Sequence, residues 1–263
     1  MKPKFEDRNV PPTVVNSTAL KVVGFNVESG GANPEFLAKN YISPMQGVDV
    51  WGFSEVEDRS WADTFVAATA MGESGQFNSI LGTTGGADRL LIIYHGDRLE
   101  LVRHFELAEV NIEGKVRAPL VAQFRLKSNQ REFLFMVNHL YRSNSKARHE
   151  QAQRLNEWAK TQKLPIITVG DYNFDWTVAG KPKHDKGYDY LTANGVFSWV
   201  QPQNLLPTHC NAKYKSVLDF VFVTGAAKNW SPSSEILFPE ASYCPDTAQK
   251  SDHRPIAATF MMK

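Results

Sequence analysis

The feature that most restricts the fold of this chain is a set of short β-branched runs, each abutting an acid, an amide or a histidine. Leu20 to Val27 carries Asn26 near its end, and Val48 to Ser54 stops at Glu55. Glu132 to Asn138 stops at His139, and Leu164 to Val169 leads into Gly170-Asp171-Tyr172-Asn173. Ser216-Val217-Leu218-Asp219 opens the run through Val223, and Ser251-Asp252-His253 stands just before Ile256 to Met262. Apolar runs of roughly four to eight residues bounded by polar positions read as buried strands. Polar groups where strands meet loops are where α/β enzymes place their chemistry.

The remaining segments fill in around these strands. Residues 34–43 read as a short helix, with Asn33 as N-cap and Pro34 in the first turn. Residues 60–71 place Trp61, Phe65 and Ala68 on one helical face and stop at Gly72. Residues 144–162 are the clearest helix, with Ala147, Gln151, Leu155 and Trp158 at helical spacing behind Asn144 as cap. A further short helix is expected over 185–194. The runs 89–94 and 99–110 read as a hairpin turning at His95-Gly96-Asp97, and 119–126 with 132–138 as another. Residues 198–215 read as irregular. Strands and helices alternate early, hairpins fill the middle and strands dominate late, which fits mixed sheets with helices outside.

With 42% hydrophobic residues, the 263-residue chain can build a substantial core, and no low-complexity linker divides it. The reading is one domain over 20–263 behind a polar, proline-containing lead over 1–19. That lead lacks the apolar stretch of a signal peptide, but a chain whose secretion signal has been removed reads the same way. The compartment therefore stays open between cytoplasm and a secreted or periplasmic location. No segment approaches the length of a membrane span. A net charge of +1 gives no global pull on nucleic acid or anionic membrane, though it leaves room for a local basic patch. Cys210 and Cys244 could pair, but without context free thiols are the favoured reading.

Taken together and in this order, the motifs resemble the endonuclease/exonuclease/phosphatase superfamily, which includes DNase I, exonuclease III-type repair nucleases, neutral sphingomyelinases and inositol polyphosphate 5-phosphatases. The resemblance runs from Asn26 to His253. It implies an α/β, four-layer α/β/β/α sandwich of two packed mixed sheets with the site at one end. It also implies metal ligation by Glu55, helped by Asn26 and Asp252, with Mg²⁺ as the cation and Mn²⁺ as a substitute. Asp171 matches the family's general base and Asn173 the phosphate-binding amide beside it. Asp219 and His253 match a carboxylate–histidine pair. His139 matches the histidine of the DNase-like and sphingomyelinase-like branches, with Asp88 as its orienting acid. Arg117, in Arg117-Ala118-Pro119, matches an arginine that contacts phosphate.

Two positions depart from the DNase-like branch. Glu57 stands where that branch has an arginine that enters the minor groove, and Gly86 stands where it has a tyrosine. The 5-phosphatase signature is also missing, since Ser216-Val217-Leu218-Asp219 lacks the Trp-Cys-Asp-Arg core.

The chemistry explains why these residue types recur. Phosphodiester hydrolysis must activate water and stabilise charge on phosphorus and on the leaving oxygen. A hard cation on carboxylates acts as the Lewis acid, and carboxylate-oriented imidazoles stabilise or protonate. The expected activity is hydrolysis of phosphodiesters in nucleic acid or nucleotides by water activated at Asp171. The first alternative is a lipid or inositol-type phosphate. An inactive binding protein on the same scaffold would be expected to have lost one of Asp171, Asn173, Asp219 or His253, and all four are present. No protein partner is implied. Glu28, Glu57 and Asp58 read as solvated acids, and His184 and His209 as loop residues without assigned chemistry. Trp176, Tyr188 and Tyr214 read either as groove lining or as core cover.

Overall fold

The computed structural model describes residues 18–71, 73–211, 215–244 and 247–262. The lead up to residue 17, the helix stop at Gly72 and the aromatic Tyr214 lie outside the described residues.

Among the described residues, twelve strands form two six-stranded mixed sheets. The first sheet contains β1 (Ala19–Asn26), β2 (Val50–Val56), β3 (Phe77–Leu81), β4 (Arg89–His95), β11 (Ser233–Ile236) and β12 (Ile256–Met261), in the order β11-β12-β1-β2-β4-β3. The second contains β5 (Leu99–Glu106), β6 (Leu120–Leu126), β7 (Glu132–His139), β8 (Ile166–Thr177), β9 (Ser198–Trp199) and β10 (Ser216–Val223), in the order β5-β6-β7-β8-β10-β9. Each sheet has one parallel pair at its centre, β1 with β2 and β7 with β8, flanked by antiparallel neighbours.

Helices cover the outer faces. α1 (Pro34–Leu37), a π-helical turn over Ala38–Ile42 and α2 (Arg59–Met71) bury Leu37, Ile42, Trp61 and Phe65 against Phe25, Trp51 and Phe53 of the first sheet. α3 (Ser145–Lys160) and α4 (Lys186–Thr192) bury Ala152, Leu155 and Leu191 in the cluster that continues between the sheets. This is the α/β/β/α sandwich. The caps follow the sequence: Asn33 accepts from the Phe36 amide, Asn144 from Ala147 and Asp185 from Gly187.

Two glycines set how closely the layers and strands approach. A Cβ on Gly52 would stand 2.5 Å from Val169 Cγ2 and 2.7 Å from Val137 Cγ2, so the two sheets meet across a bare backbone there. Gly170 of the Gly-Asp-Tyr-Asn motif has φ +141°, and a Cβ would lie 2.0 Å from the Asn138 carbonyl oxygen of β7.

The structure corrects two sequence expectations. Residues 89–94 and 99–110 do not form a hairpin, because β4 pairs with β2 and β3 while β5 pairs with β6 in the other sheet. A short turn between two strand-like runs serves a sheet-to-sheet corner as well as a hairpin. This corner is tied down by buried Asp49, whose carboxylate accepts from the Lys21 amide (2.8 Å) and pairs with Arg98. Second, Cys210 and Cys244 form a disulfide, with Cα atoms 5.2 Å apart across 34 residues of sequence. Nothing local in either loop reveals that the two converge. The short edge strands β3, β9 and β11 also escaped the pattern. Their few residues and partial exposure leave little periodicity to read.

Candidate active site

The two parallel pairs deliver their C-terminal ends to one rim of the sandwich. Asn26 lies opposite Ser54 at the end of β1 and β2, and His139 lies opposite Asp171 on β7 and β8. β10 runs antiparallel to β8 and sets Asp219 opposite Asp171, and the segment before β12 brings Asp252 and His253 to the same place. Of the sequence-predicted residues, Asn26, Glu55 and His139 lie at or next to the ends of β1, β2 and β7, Asp171 and Asn173 lie within β8, Asp219 lies within β10, Asp252 and His253 precede β12, and Asp88 comes from the turn before β4.

Irregularities in the strands re-aim the side chains. The β2–β4 register shifts between Phe53 and Val56, and Glu55 inside that bulge has φ +63°. β8 bulges between Asp171 and Trp176, with Asn173 at φ +52° and Asp175 at φ +51°. Asn173 is thus not extended. Its amide donates to Asp171 Oδ1 (2.9 Å) and its Nδ2 to the Leu140 carbonyl (3.1 Å). Backbone strain of this kind concentrates at functional sites.

Asp171 is the hub. Its Oδ2 accepts from Asn26 Nδ2 at 3.2 Å and lies 3.6 Å from His139 Nε2 and 3.8 Å from His253 Nε2. Burial raises its carboxyl above the usual carboxylate range. Asn26 Nδ2 also donates to Glu55 Oε1 (2.9 Å), so one amide holds two acids together. His253 Nδ1 is 2.7 Å from Asp219 Oδ2. Burial alone would lower its pKa, but the charge and hydrogen bond of Asp219, with Asp171 and Asp252 beyond, raise it to about 10. His139 goes the other way. Burial, then the charge of Arg117, lowers it to about 4.

Arg117 pairs with Asp88 and donates from Nε to the His139 carbonyl (3.1 Å). The Asp88 Oδ1 to His139 Nδ1 separation is 3.6 Å, longer than a hydrogen bond, and both atoms are buried without one. Burial raises the Asp88 carboxyl to about 6 despite Arg117. The Asp88–Arg117 pair thus backs His139, and neither residue is among those lining the cavity.

That cavity, of about 350 Å³, is lined by Glu28, Glu55, Asp171, Asn173, Asp252 and His253, with Asp175, His209, Arg142 and Arg148 among the rest. The convergent oxygens suit a hard divalent cation, and the bonded cysteines offer no thiolate. Glu55, Asp88 and His139 form one group of donor atoms within 4.8 Å of one another, and His209, Asp252 and His253 form another.

Several participants were missed in the sequence. Glu28 is not simply solvated, because its Oε2 accepts from the Asp252 amide (2.7 Å). Ser251 Oγ donates to the Asn26 carbonyl (2.6 Å) and accepts from the His253 amide (3.0 Å). Tyr243 donates to the His253 carbonyl (2.7 Å). Arg142 reaches the cavity rim, and His209 contacts Asp252. Only the Ser-Asp-His tripeptide itself signalled any of these. Glu57 accepts from the Gly30 amide (2.7 Å), a loop contact. Trp176 and Tyr188 pack half-buried with Trp199 against the core.

Two mixed sheets packed face to face with helices outside make the DNase I-like fold, and this chain has it. Solved structures bear this out. An endonuclease/exonuclease/phosphatase family protein from Bacteroides thetaiotaomicron superposes with a TM-score of 0.68 at 20% identity, covering 93% of this chain and 98% of that one. A mannosyl-6-phosphatase from the same species gives 0.62 at 19% identity, over 91% and 98%. D. rerio TDP2, complexed with a single-strand DNA product, gives 0.71 at 16% identity, over 92% and 98%. No protein-family model and no curated protein matches the sequence.

Proposed function

We propose that this protein is a divalent-metal-dependent phosphoesterase that hydrolyses phosphodiester bonds in nucleic acid or nucleotides. The observation that carries the reading is the buried Asp171 carboxylate. Asn26 fixes it, a neutral and a cationic histidine flank it, and it opens on a cavity lined by Glu55 and Asp252. Asp171 holds the attacking water and takes its proton. Burial raises its pKa, which makes the carboxylate a stronger base. His253, kept as an imidazolium by Asp219, lends positive charge to the phosphorane oxygens and can give its Nε2 proton to the leaving oxygen. Asn173 donates toward the phosphate by exchanging its bond to the Leu140 carbonyl. His139, neutral, hydrogen-bonds phosphate, and Arg117 contributes charge from behind it. Glu55, with Asp252 and Asn26, would hold Mg²⁺ or Mn²⁺, which supplies Lewis acidity at the phosphoryl oxygen.

A second reading, a sugar or lipid phosphate substrate, draws on the compact, acid-rich cavity and on Glu57 at the position where the DNase-like branch has its groove-reading arginine. The test is hydrolysis of single- and double-stranded DNA, RNA, bis-p-nitrophenyl phosphate, sphingomyelin, an inositol polyphosphate and mannose 6-phosphate, with Mg²⁺, Mn²⁺ or EDTA. Metal-dependent cleavage of nucleic acid or the diester is expected. Cleavage confined to the sugar or lipid phosphates would replace the first reading by the second.

A further inference from the structure

His209 lies in the loop between β9 and β10, outside every motif of the sequence, and is 7% exposed. Its backbone is tied to the segment that carries the Asp252–His253 pair. His209 and His253 form an antiparallel bridge, the Cys210 amide donates to the Asp252 carbonyl (2.7 Å), and the Arg254 amide to the Thr208 carbonyl (2.7 Å). The two imidazoles meet edge to face with centroids 4.9 Å apart.

The hydrogen bonds of the ring fix where its proton sits. Nδ1 accepts the Asn211 backbone N–H at 3.0 Å, so Nδ1 carries the lone pair and Nε2 the hydrogen. Nε2 stands 3.1 Å from Asp252 Oδ2. A nitrogen that donates has no lone pair for a cation, which removes His209 from the possible ligands even though its ring lies within ligand spacing of Asp252 and His253. His253 is oriented through the opposite nitrogen, Nδ1, by Asp219.

We infer that His209 is a positioning residue: its Nε2–H grips Asp252 Oδ2 and so presents Oδ1 to the cation that the site takes up. Oδ1 lies 3.7 Å from His253 Nε2, on the side of the catalytic histidine. The inference rests on the reading of Asp252 as a metal-binding carboxylate. Partners of this kind, bonded to a ligand rather than to the metal, typically change metal affinity by 10–100-fold.

Two measurements test it. Long-range ¹H–¹⁵N correlation spectra of histidine-labelled protein report which ring nitrogen is protonated, with the His209 signals assigned by their loss in H209Q. His209 is expected to show a protonated Nε2 and a bare Nδ1, and the reverse pattern would overturn the inference. Mn²⁺ titration followed by the EPR signal of the free ion compares wild type with H209F and H209Q. H209F should bind about tenfold or more weakly, and H209Q, whose amide NH₂ reaches where Nε2–H stood, should recover most of that loss. H209F that melts like wild type and binds Mn²⁺ as tightly overturns this role alone. A wild-type protein that binds no Mn²⁺ overturns the metal reading and this inference with it. Should H209F fail to fold, the wild-type spectra and H209Q still decide.

Discussion

Two histidines beside one buried carboxylate are held in opposite charge states by their neighbours. Burial and Arg117 keep His139 neutral, while Asp219 keeps His253 a cation against the same burial. This makes the site's pH behaviour a stability statement in metal-free protein. His253 has a folded pKa of about 10, above the ordinary histidine value of 6.5, so the stabilisation from its pairing with Asp219 is complete below 6.5 and is lost as pH rises toward 10. In EDTA, the melting-temperature gap between wild type and D219N should therefore be widest near pH 6.5 and narrow steadily toward 10. A gap independent of pH would mean that the pair is not charged. For His139, whose folded value of about 4 lies below 6.5, stability is present above 6.5 and lost as pH falls through 4, so H139Q should flatten the acid limb of the same curve. The role proposed for Asp171 lies in chemistry rather than in folding. D171N should cut turnover at least about 10²-fold with an unchanged or higher Tm, because it removes a buried negative charge. Near-normal kcat in D171N would sink the assignment of the base.

The elements show where sequence patterns carry information and where they stop. Glu55, Asp171, Asp219 and His253 were legible because each follows or opens a buried run whose direction in a sheet fixes where its end lies. The bulges that turn Glu55 and Asn173 into the cavity were not, since a bulge is a mismatch with a partner strand that the sequence of one strand does not display. The β4–β5 corner failed for a related reason. β4 is buried along nearly its whole length, Leu90 to His95, whereas β5 is a partly exposed edge, and only the partner sheet decides which is which. Gly52 tests the sheet-to-sheet contact. G52A drives a methyl into Val169 and Val137 and should cost about 1–3 kcal/mol in denaturant unfolding, without altering residues of the cavity. The Cys210–Cys244 crosslink joins two loops that both grip the Asp252–His253 segment, through the Cys210 amide and through Tyr243. Replacing both cysteines by serine should lower stability by about 2–4 kcal/mol and weaken Mn²⁺ binding together with it. Lost stability with unchanged metal affinity would show that the crosslink serves the scaffold only.

At the scale of the molecule the site belongs to neither sheet. Asn26 and Glu55 come from the first, His139, Asp171 and Asp219 from the second, and Asp252 and His253 from the connection that leads back into the first. The side-chain bridge from Asn26 to Asp171 joins the halves across 145 residues of sequence. A cation held by Glu55 and Asp252 beside Asp171 would therefore add a link between the layers, one that the unfolded chain cannot reproduce. Binding to the native state alone stabilises by about 2.7 kcal/mol at a free cation concentration 100 times Kd. Mn²⁺ or Mg²⁺ should accordingly raise Tm in a concentration-dependent way, EDTA should reverse the shift, and E55Q should abolish most of it while keeping the metal-free Tm close to that of wild type. The shift should also appear in probes of both sheets at once, for example amide exchange in β2 and β8, because the ligands are anchored on both. Metal that binds with no change in Tm would bind the unfolded chain as well as the folded one, and metal that protects only the first sheet would place the cation on the acids at the cavity rim and away from Asp171.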